Sequence, residues 1–301
     1  MTTAPALARP VGWRLWSLAA RPRTLSLSLA PVLAGTALAA AQGLAVRPLP
    51  VLLALAGAML IQIGTNLHND LADALKGADR AERTGPPRVT ALGWVPAGRM
   101  RRAVLLCFGA AALVGCALAS LGGWPILVLG AASLLAGWGY SAGPHPISYG
   151  PFGEVFVIAF FGVAAVGGTL WLQAPFPTPA ALVPVLALGT AIGMPAAAVL
   201  MVNNYRDAAP DRAAGRGTLA IRLGPAGSRR VYAVLLLLPF PLLLLLPAGA
   251  LSGLAALPVA LRCVRTFSRQ PPGPGCNDLL AATARCQLLL AVAASLGLVL
   301  V

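Results

Sequence analysis

Long apolar segments separated by short polar ones dominate this sequence. A hydrocarbon core about 30 Å thick is crossed by roughly 20 helical residues, and nine segments approach that length. They lie near residues 24–42, 49–67, 103–121, 124–142, 154–173, 180–202, 231–247, 249–262 and 279–300. The seventh and eighth are short and rich in proline, so residues 231–262 form either two spans or one kinked span. The pattern predicts an all-α, polytopic membrane bundle of about nine transmembrane helices, in one domain covering residues 1–301.

Composition supports a membrane protein. Apolar residues make up 58% of the chain, charged residues 10%, and the mean hydropathy is +0.81. A soluble domain would expose too much apolar surface, and a disordered chain would be far less hydrophobic. The five cysteines include no C-x-x-C pair, which argues against a cysteine-based metal site or a disulfide framework.

The net charge of +14 is unevenly distributed along the chain. In a soluble protein it would suggest nucleic-acid binding, whereas in a membrane protein it follows the rule that basic loops remain in the cytoplasm. Nine spans threaded from a cytoplasmic N-terminus place every basic residue on the inner side except Arg47 and Arg285. We therefore expect a cell inner-membrane protein with its N-terminus inside, its C-terminus outside and no nucleic-acid partner. A cleaved signal peptide over residues 1–42 is disfavoured because 23 residues precede its apolar stretch.

Two polar segments, 66–102 and 203–230, carry most of the chemistry. Each follows a span that enters from outside, holds Asn and Asp followed by basic residues, and continues with Pro-Ala-Gly before two arginines. This similarity predicts a parallel internal repeat of about four helices.

The Asn and Asp residues of these segments are spaced for a helix. Four of them share one face, and three more repeat the pattern, although Pro210 is expected to break the second helix before its last Asp. We call these two groups the acidic sets. Carboxylates are costly near a membrane unless a positive partner balances them. Simple pairing with nearby arginines is the alternative, but two matched sets favour Mg²⁺ held by hard oxygen ligands and substrate phosphates. The first set is Asn66, Asn69, Asp70 and Asp73, and the second is Asn203, Asp207 and Asp211.

Basic residues follow each acidic set. A diphosphate bound through Mg²⁺ still presents outward oxygens, which guanidinium groups neutralise well. The candidates are Lys76, Arg80, Arg83, Arg206, Arg212 and Arg216. Acids, bases and apolar spans together indicate a lipid diphosphate as substrate.

Two stretches, NLHNDLADALKGADRAERTGPPR at 66–88 and NNYRDAAPDRAAGRGTLAIRLG at 203–224, resemble the signatures of the UbiA superfamily of intramembrane prenyltransferases. RPRTL at 21–25 and GYSAGPHPISYGPFGE at 139–154 are similar to the branch that prenylates 1,4-dihydroxy-2-naphthoate for menaquinone. There are two departures. Asp73 comes one residue earlier than the N-x-x-x-D-x-x-x-D spacing requires, and Arg216 replaces the Lys of G-K-x-T.

The resemblance implies a central cavity open toward the lipid, with both acidic sets at its cytoplasmic mouth. It implies Mg²⁺ held by Asp70, Asp73, Asp207 and Asp211, assisted by Asn66 and Asn203. The partners would be a polyprenyl diphosphate and an aromatic acid acceptor in the bilayer. Transfer to 1,4-dihydroxy-2-naphthoate with decarboxylation would give demethylmenaquinol and diphosphate. Arg23 would reach the diphosphate or the acceptor carboxylate. Tyr140 and Tyr149 either orient the acceptor or are ordinary aromatic residues of the membrane interface.

Several alternatives remain open at this level. The acceptor could instead be 4-hydroxybenzoate or homogentisate, and a cation transporter is a more distant reading because the span centres lack polar groups. Glu154, His145 and the spacing of Asp278 and Arg285 have no assigned role. The prenyl chain length and the oligomeric state are left undetermined.

Overall fold

The structure is a computed structural model that describes residues 9–76, 85, 87–174 and 182–301. Every regular element among these residues is helical, which confirms the predicted all-α membrane bundle. The helices are α1 (Trp13–Ala20), α2 (Ser26–Ala41), α3 (Pro48–Leu75), α4 (Ala97–Gly122), α5 (Trp124–Gly139), α6 (Gly153–Gln173), α7 (Leu182–Arg206), α8 (Ala208–Ala213), α9 (Leu219–Leu245), α10 (Ala248–Arg269) and α11 (Cys276–Leu300).

The predicted count of nine spans is not confirmed. Within the described residues, seven helices are long and apolar enough to cross a membrane, and an eighth arises if the pair α1 and α2, bent by 50°, counts as one span. The predicted segment 124–142 corresponds to α5, which has only 16 residues and falls below that length. Residues 231–262 belong to two spans, α9 and α10, and α9 begins well before the predicted 231.

Proline and glycine set several helix boundaries. Pro48 opens α3 after an extended Arg47, where its missing N–H is not needed. Gly224 interrupts α9 with a φ of 64°, and Pro225 restarts the helix directly afterwards. The Pro-Ala-Gly sequence of each polar segment therefore begins a helical stretch, as Pro96 does before α4. This correspondence is consistent with the internal repeat, which stays a prediction.

Arg21 produces the bend between α1 and α2. Its φ of 55° places it in the left-handed region, which a residue with a Cβ rarely adopts. The following Pro22 contributes, because a residue that precedes proline is disfavoured in the right-handed helical region. Strain of this kind is held in place only by the surrounding structure.

The core is built around α7. In its most apolar stretch, 83% of the residues are buried inside the protein, compared with 11% for α4. The buried cluster joins α7 to α2 and to the last three spans, α9 to α11. Since α3 and α7 run in the same direction and both finish in polar sequence, their ends define what we call the polar end of the bundle.

Candidate functional site

A cavity of about 640 Å³, here called the central cavity, occupies the middle of the bundle. Its walls are mostly apolar, and its polar groups are concentrated at the polar end. The polar side chains from the two acidic sets that line it are Asn66, Asn69, Asp73, Asn203, Asp207 and Asp211. The two polar segments, which are far apart in sequence, therefore face one chamber.

The asparagines near the end of α3 form hydrogen bonds with neighbouring segments. Nδ2 of Asn66 donates to the carbonyl oxygen of Ala20 at 2.9 Å and to Oγ1 of Thr24 at 3.2 Å. Nδ2 of Asn69 donates to Oγ of Ser141 at 3.0 Å. These bonds hold the α1–α2 bend and the segment after α5 against α3, so both contribute to the cavity wall.

Asp73 is the point at which the two polar segments meet. It is 3% exposed, and its Oδ2 lies 2.6 Å from Nη2 of Arg88. Its Oδ1 lies 2.6 Å from Nη2 of Arg216, whose Nη1 lies 3.3 Å from Oδ1 of Asp211. One guanidinium thus joins the first acidic set to the second.

The charge of Arg216 is fixed by these neighbours. Burial alone would lower the pKa of its guanidinium, but the carboxylates of Asp73 and Asp211 outweigh that effect and raise the pKa above its ordinary value. The Arg216 guanidinium also lies 4.9 Å from the centre of the Tyr149 ring, and Nζ of Lys76 lies 4.5 Å from the same ring. Cations placed over an aromatic face are attracted by its electrons. The Tyr149 ring therefore stabilises the positions of two cationic groups, those of Lys76 and Arg216.

Asp207 is held by a second arginine. Nε and Nη2 of Arg206 donate to its two carboxylate oxygens at 2.9 and 2.6 Å. The same guanidinium donates to Oδ1 of Asn203 and to Oδ1 of Asn277, both at 2.8 Å. Arg206 is 3% exposed and is not part of the cavity wall, so its role is to position Asp207 and tie α7 to α11.

Asp70 differs from the prediction in its placement. It is buried but does not line the central cavity. Its Oδ2 accepts the backbone N–H of Val89 at 3.0 Å, and its Oδ1 accepts that of Thr90 at 3.1 Å. Asp70 therefore anchors the segment that carries Arg88 to α3.

Asp70→Ala is expected to lower the melting temperature of the purified protein by roughly 5 °C or more, because two backbone N–H groups lose acceptors worth about 1–3 kcal/mol each. Asp70→Asn, which keeps one oxygen, should lie between Ala and wild type. Asp278→Ala is the matched control, since Asp278 is exposed at the start of α11. Unchanged melting of both Asp70 variants in detergent would contradict the anchoring role.

The predicted bases are distributed differently from the prediction. Arg216 lines the cavity, as does Tyr140, whereas Arg23, Lys76, Tyr149, Arg206 and Arg212 do not. Arg23 is exposed because the bend directs Arg21, not Arg23, to the cavity. Arg212 is exposed and donates to the carbonyl of Ile221. Arg80 and Arg83 lie outside the described residues.

Several cavity residues were not selected from the sequence. Arg21, Arg88 and Asn204 line the cavity beside the predicted residues. Nδ2 of Asn204 donates to Oε1 of Glu154 at 3.1 Å, and Glu154 is 3% exposed. Among the described residues, Oε2 of Glu154 has no hydrogen-bond partner. Two features of the sequence could have pointed to Asn204 and Glu154: the pair of asparagines at 203–204 and the presence of an acid at the start of a span.

The donor set suits Mg²⁺ that is shared with a substrate. In the described part of the chain, no three acidic, histidine or cysteine side chains group closely enough to hold a metal ion by themselves. Mg²⁺ is usually bound through one or two carboxylates together with substrate phosphates. Asp73, Asp207 and Asp211 supply carboxylates to one chamber, so the site fits a metal that arrives with a phosphate.

Comparison with known proteins identifies a family and several similar sequences. The model of the UbiA prenyltransferase family matches residues 28–284. The chain is 42% identical to the 1,4-dihydroxy-2-naphthoate octaprenyltransferase of Escherichia coli (strain K12) over 228 residues, covering 74% of this chain and 72% of the relative. It is 35% identical to the protein of the same name from Mycobacterium leprae (strain TN), covering 95% and 96%.

Solved structures share the fold. A UbiA homolog from Archaeoglobus fulgidus bound to DMAPP and Mg²⁺ superimposes with a TM-score of 0.67 at 13% identity, covering 94% of this chain and 98% of the other. The same homolog bound to GPP and Mg²⁺ gives a TM-score of 0.66 at 14% identity, covering 95% and 99%. At these identities the likeness establishes the architecture alone.

Proposed function

Since this chain belongs to the UbiA prenyltransferase family, we propose that it transfers a polyprenyl group from polyprenyl diphosphate to 1,4-dihydroxy-2-naphthoate. The chain is a multi-pass membrane prenyltransferase. The acceptor follows from the relatives named 1,4-dihydroxy-2-naphthoate octaprenyltransferase. The observation that carries the proposal is the meeting of two acidic sets at the polar end of an otherwise apolar cavity.

The polar end binds the diphosphate. Arg21, Arg88 and Arg216 line the cavity there and can donate hydrogen bonds to phosphate oxygens, which guanidinium forks match well. Mg²⁺, held by Asp73, Asp207 and Asp211 with Asn66 and Asn203 nearby, would neutralise charge on the diphosphate. Asp70 contributes by anchoring the segment that carries Arg88.

The reaction begins by breaking the allylic C–O bond. The bonding electrons leave with the diphosphate, and the arginines stabilise the charge that builds on it. The allylic cation that remains is enclosed by apolar walls, which keep water away. These walls include Leu27, Ile61, Phe156 and Phe160.

The electron-rich ring of the acceptor then attacks the cation through the carbon that bears the carboxylate. Loss of that carboxylate as CO₂ returns its electrons to the ring, restores aromaticity and gives demethylmenaquinol. Tyr140 and Asn204 line the cavity beside the acids and can hydrogen-bond the acceptor's oxygens.

We place the polar end in the cytoplasm of the cell that makes the protein, in its inner membrane. With that orientation the N-terminus is inside, the C-terminus is outside, and most arginines face the cytoplasm. A cation transporter is disfavoured because the cavity away from the polar end is lined by apolar residues such as Leu118, Ile126 and Leu129.

The acceptor is tested with purified protein, octaprenyl diphosphate and Mg²⁺. We expect product and stoichiometric CO₂ from 1,4-dihydroxy-2-naphthoate, and at least about ten times less product from 4-hydroxybenzoate or homogentisate, since one fitted contact set is worth on the order of 1–3 kcal/mol. Mass spectrometry of the products gives the answer. Preference for either other acid would overturn the acceptor assignment and leave the prenyltransferase intact.

A further inference from the structure

The central cavity reaches far beyond the polar end. Its lining includes Asp73 near the end of α3 and Gly57, Ala58 and Ala54 in the first half of the same helix. From Asp73 to Gly57 is 16 residues of helix, which corresponds to about 24 Å at 1.5 Å per residue. That length approaches the thickness of the hydrocarbon core, about 30 Å.

Three glycines surround the cavity at this depth. Gly57 of α3 lies against α4, because a Cβ on Gly57 would meet Val114 at 3.4 Å, next to Gly115. Gly137 of α5 faces Ile61 in the same way, at 3.5 Å. Gly130 lies two turns before Gly137, nearer the start of α5. Because α3 and α5 run in the same direction, Gly130 lies at about the same distance from the polar end as Gly57. Gly57, Gly115 and Gly130 all line the cavity.

Neither the backbone nor packing requires glycine at two of these positions. Gly115 and Gly130 lie inside helices without a positive φ, and a Cβ at either would meet nothing within 4 Å. Glycine inside a helix costs about 1 kcal/mol relative to alanine. The space that these glycines leave open belongs to the cavity itself.

We infer that Gly115 and Gly130 determine the length of prenyl chain that the enzyme accepts, by leaving a passage for the part of the chain beyond about 24 Å from the acids. The inference rests on the proposed function, since it takes the diphosphate to lie at the polar end. With carbon–carbon bonds of about 1.5 Å, the two isoprene units of GPP span at most roughly 12 Å. Eight units extend about four times as far and must pass these glycines.

The test compares two donors in variants that fill the passage. Gly115→Leu, Gly130→Leu and the double variant are assayed with GPP and with octaprenyl diphosphate, using the same acceptor. We expect kcat/KM for GPP to stay within twofold of wild type. With octaprenyl diphosphate it should fall at least about tenfold in each single variant and further in the double variant.

Gly109→Leu is the matched control. Gly109 lies on α4 like Gly115, is exposed, has nothing within 4 Å of a Cβ and does not line the cavity. It should leave both donors unaffected. Each variant is checked for wild-type melting, and Gly115→Ala, with a smaller added group, should give a smaller discrimination against the long donor.

The outcomes separate the two proposals. Unchanged use of octaprenyl diphosphate by the folded double variant would overturn the inference, as would an equal loss with both donors. In both cases wild-type turnover leaves the proposed function standing. If the wild-type protein turns over neither GPP nor octaprenyl diphosphate, the proposed function is overturned instead.

Discussion

Asp73→Asn is expected to reduce prenyl transfer by roughly 100-fold or more, the scale on which removal of one preorganised charge-stabilising group acts. Asp73 is the carboxylate that contacts both Arg88 and Arg216, and it lines the cavity. Without its charge, the site loses a proposed oxygen ligand for Mg²⁺ and the partner that orients two guanidinium groups, which we propose bind the phosphates. The measurement is kcat/KM for polyprenyl diphosphate at saturating acceptor.

The main confounding effect is stability. Removing one partner of a buried ion pair costs about 3–5 kcal/mol, so the melting temperature and the monodispersity of the variant must be measured as well. Asp211→Asn gives a second variant at lower risk, because the Asp211 side chain is 14% exposed and its contact with Arg216 is longer, 3.3 Å. It should also reduce turnover. Asp278→Asn makes the same chemical change at an exposed site and should have no effect. Near-normal turnover by a folded Asp73→Asn protein would refute the proposed site.

Removal of divalent metal is expected to abolish product formation. The carboxylates at the polar end repel a diphosphate unless a divalent cation lies between them, and an unneutralised diphosphate is a poor leaving group. Protein treated with EDTA and assayed in metal-free buffer should form less than about 1% of the wild-type product, on the scale of several kcal/mol that metal ions contribute to transition states.

Addition of Mg²⁺ in excess over EDTA should restore the rate, and the same increase in ionic strength supplied as NaCl should not. Melting measured under each condition distinguishes loss of chemistry from loss of fold. Turnover at the wild-type rate in EDTA would contradict every step that we assign to the polar end.

The periodicity of the acids placed them on one helix face, and it could not distinguish positions within that face. Positions 70 and 73 are three residues apart, about 60° around the helix axis, so helical spacing places both on one face. In the structure Asp73 faces the cavity and Asp70 faces the backbone of Val89 and Thr90. What separates them is a loop some twenty residues later, whose position no local pattern contains.

The assignment of Arg23 instead of Arg21 has a similar cause. Both flank Pro22 and carry the same charge, so only the direction of the bend decides which reaches the cavity. That direction depends on the left-handed conformation of Arg21, which nothing in its side chain favours. Arg88 was missed because its partner, Asp73, lies fifteen residues away in sequence, beyond the reach of any local pattern.

Span prediction succeeded where apolar composition and length agreed. The prolines of the seventh and eighth segments obscured two real helices, because proline lowers local helix propensity while the membrane favours helix for every buried backbone group. The predicted start of the seventh segment was late for another reason. The first turns of α9 carry Arg222, Arg229 and Arg230, which a hydropathy window excludes but a helix tolerates at its polar end.

The contact between Arg216 and Asp73 joins residues 143 positions apart. A ribosome that adds about 5–20 residues per second needs on the order of ten seconds to make that stretch. For that time Asp73 is already inserted with its helix, while the arginine that bridges the two polar segments has not been translated. The diphosphate site that we propose is therefore completed only late in biogenesis, and a chain released before that point would lack the arginine that bridges its two polar segments.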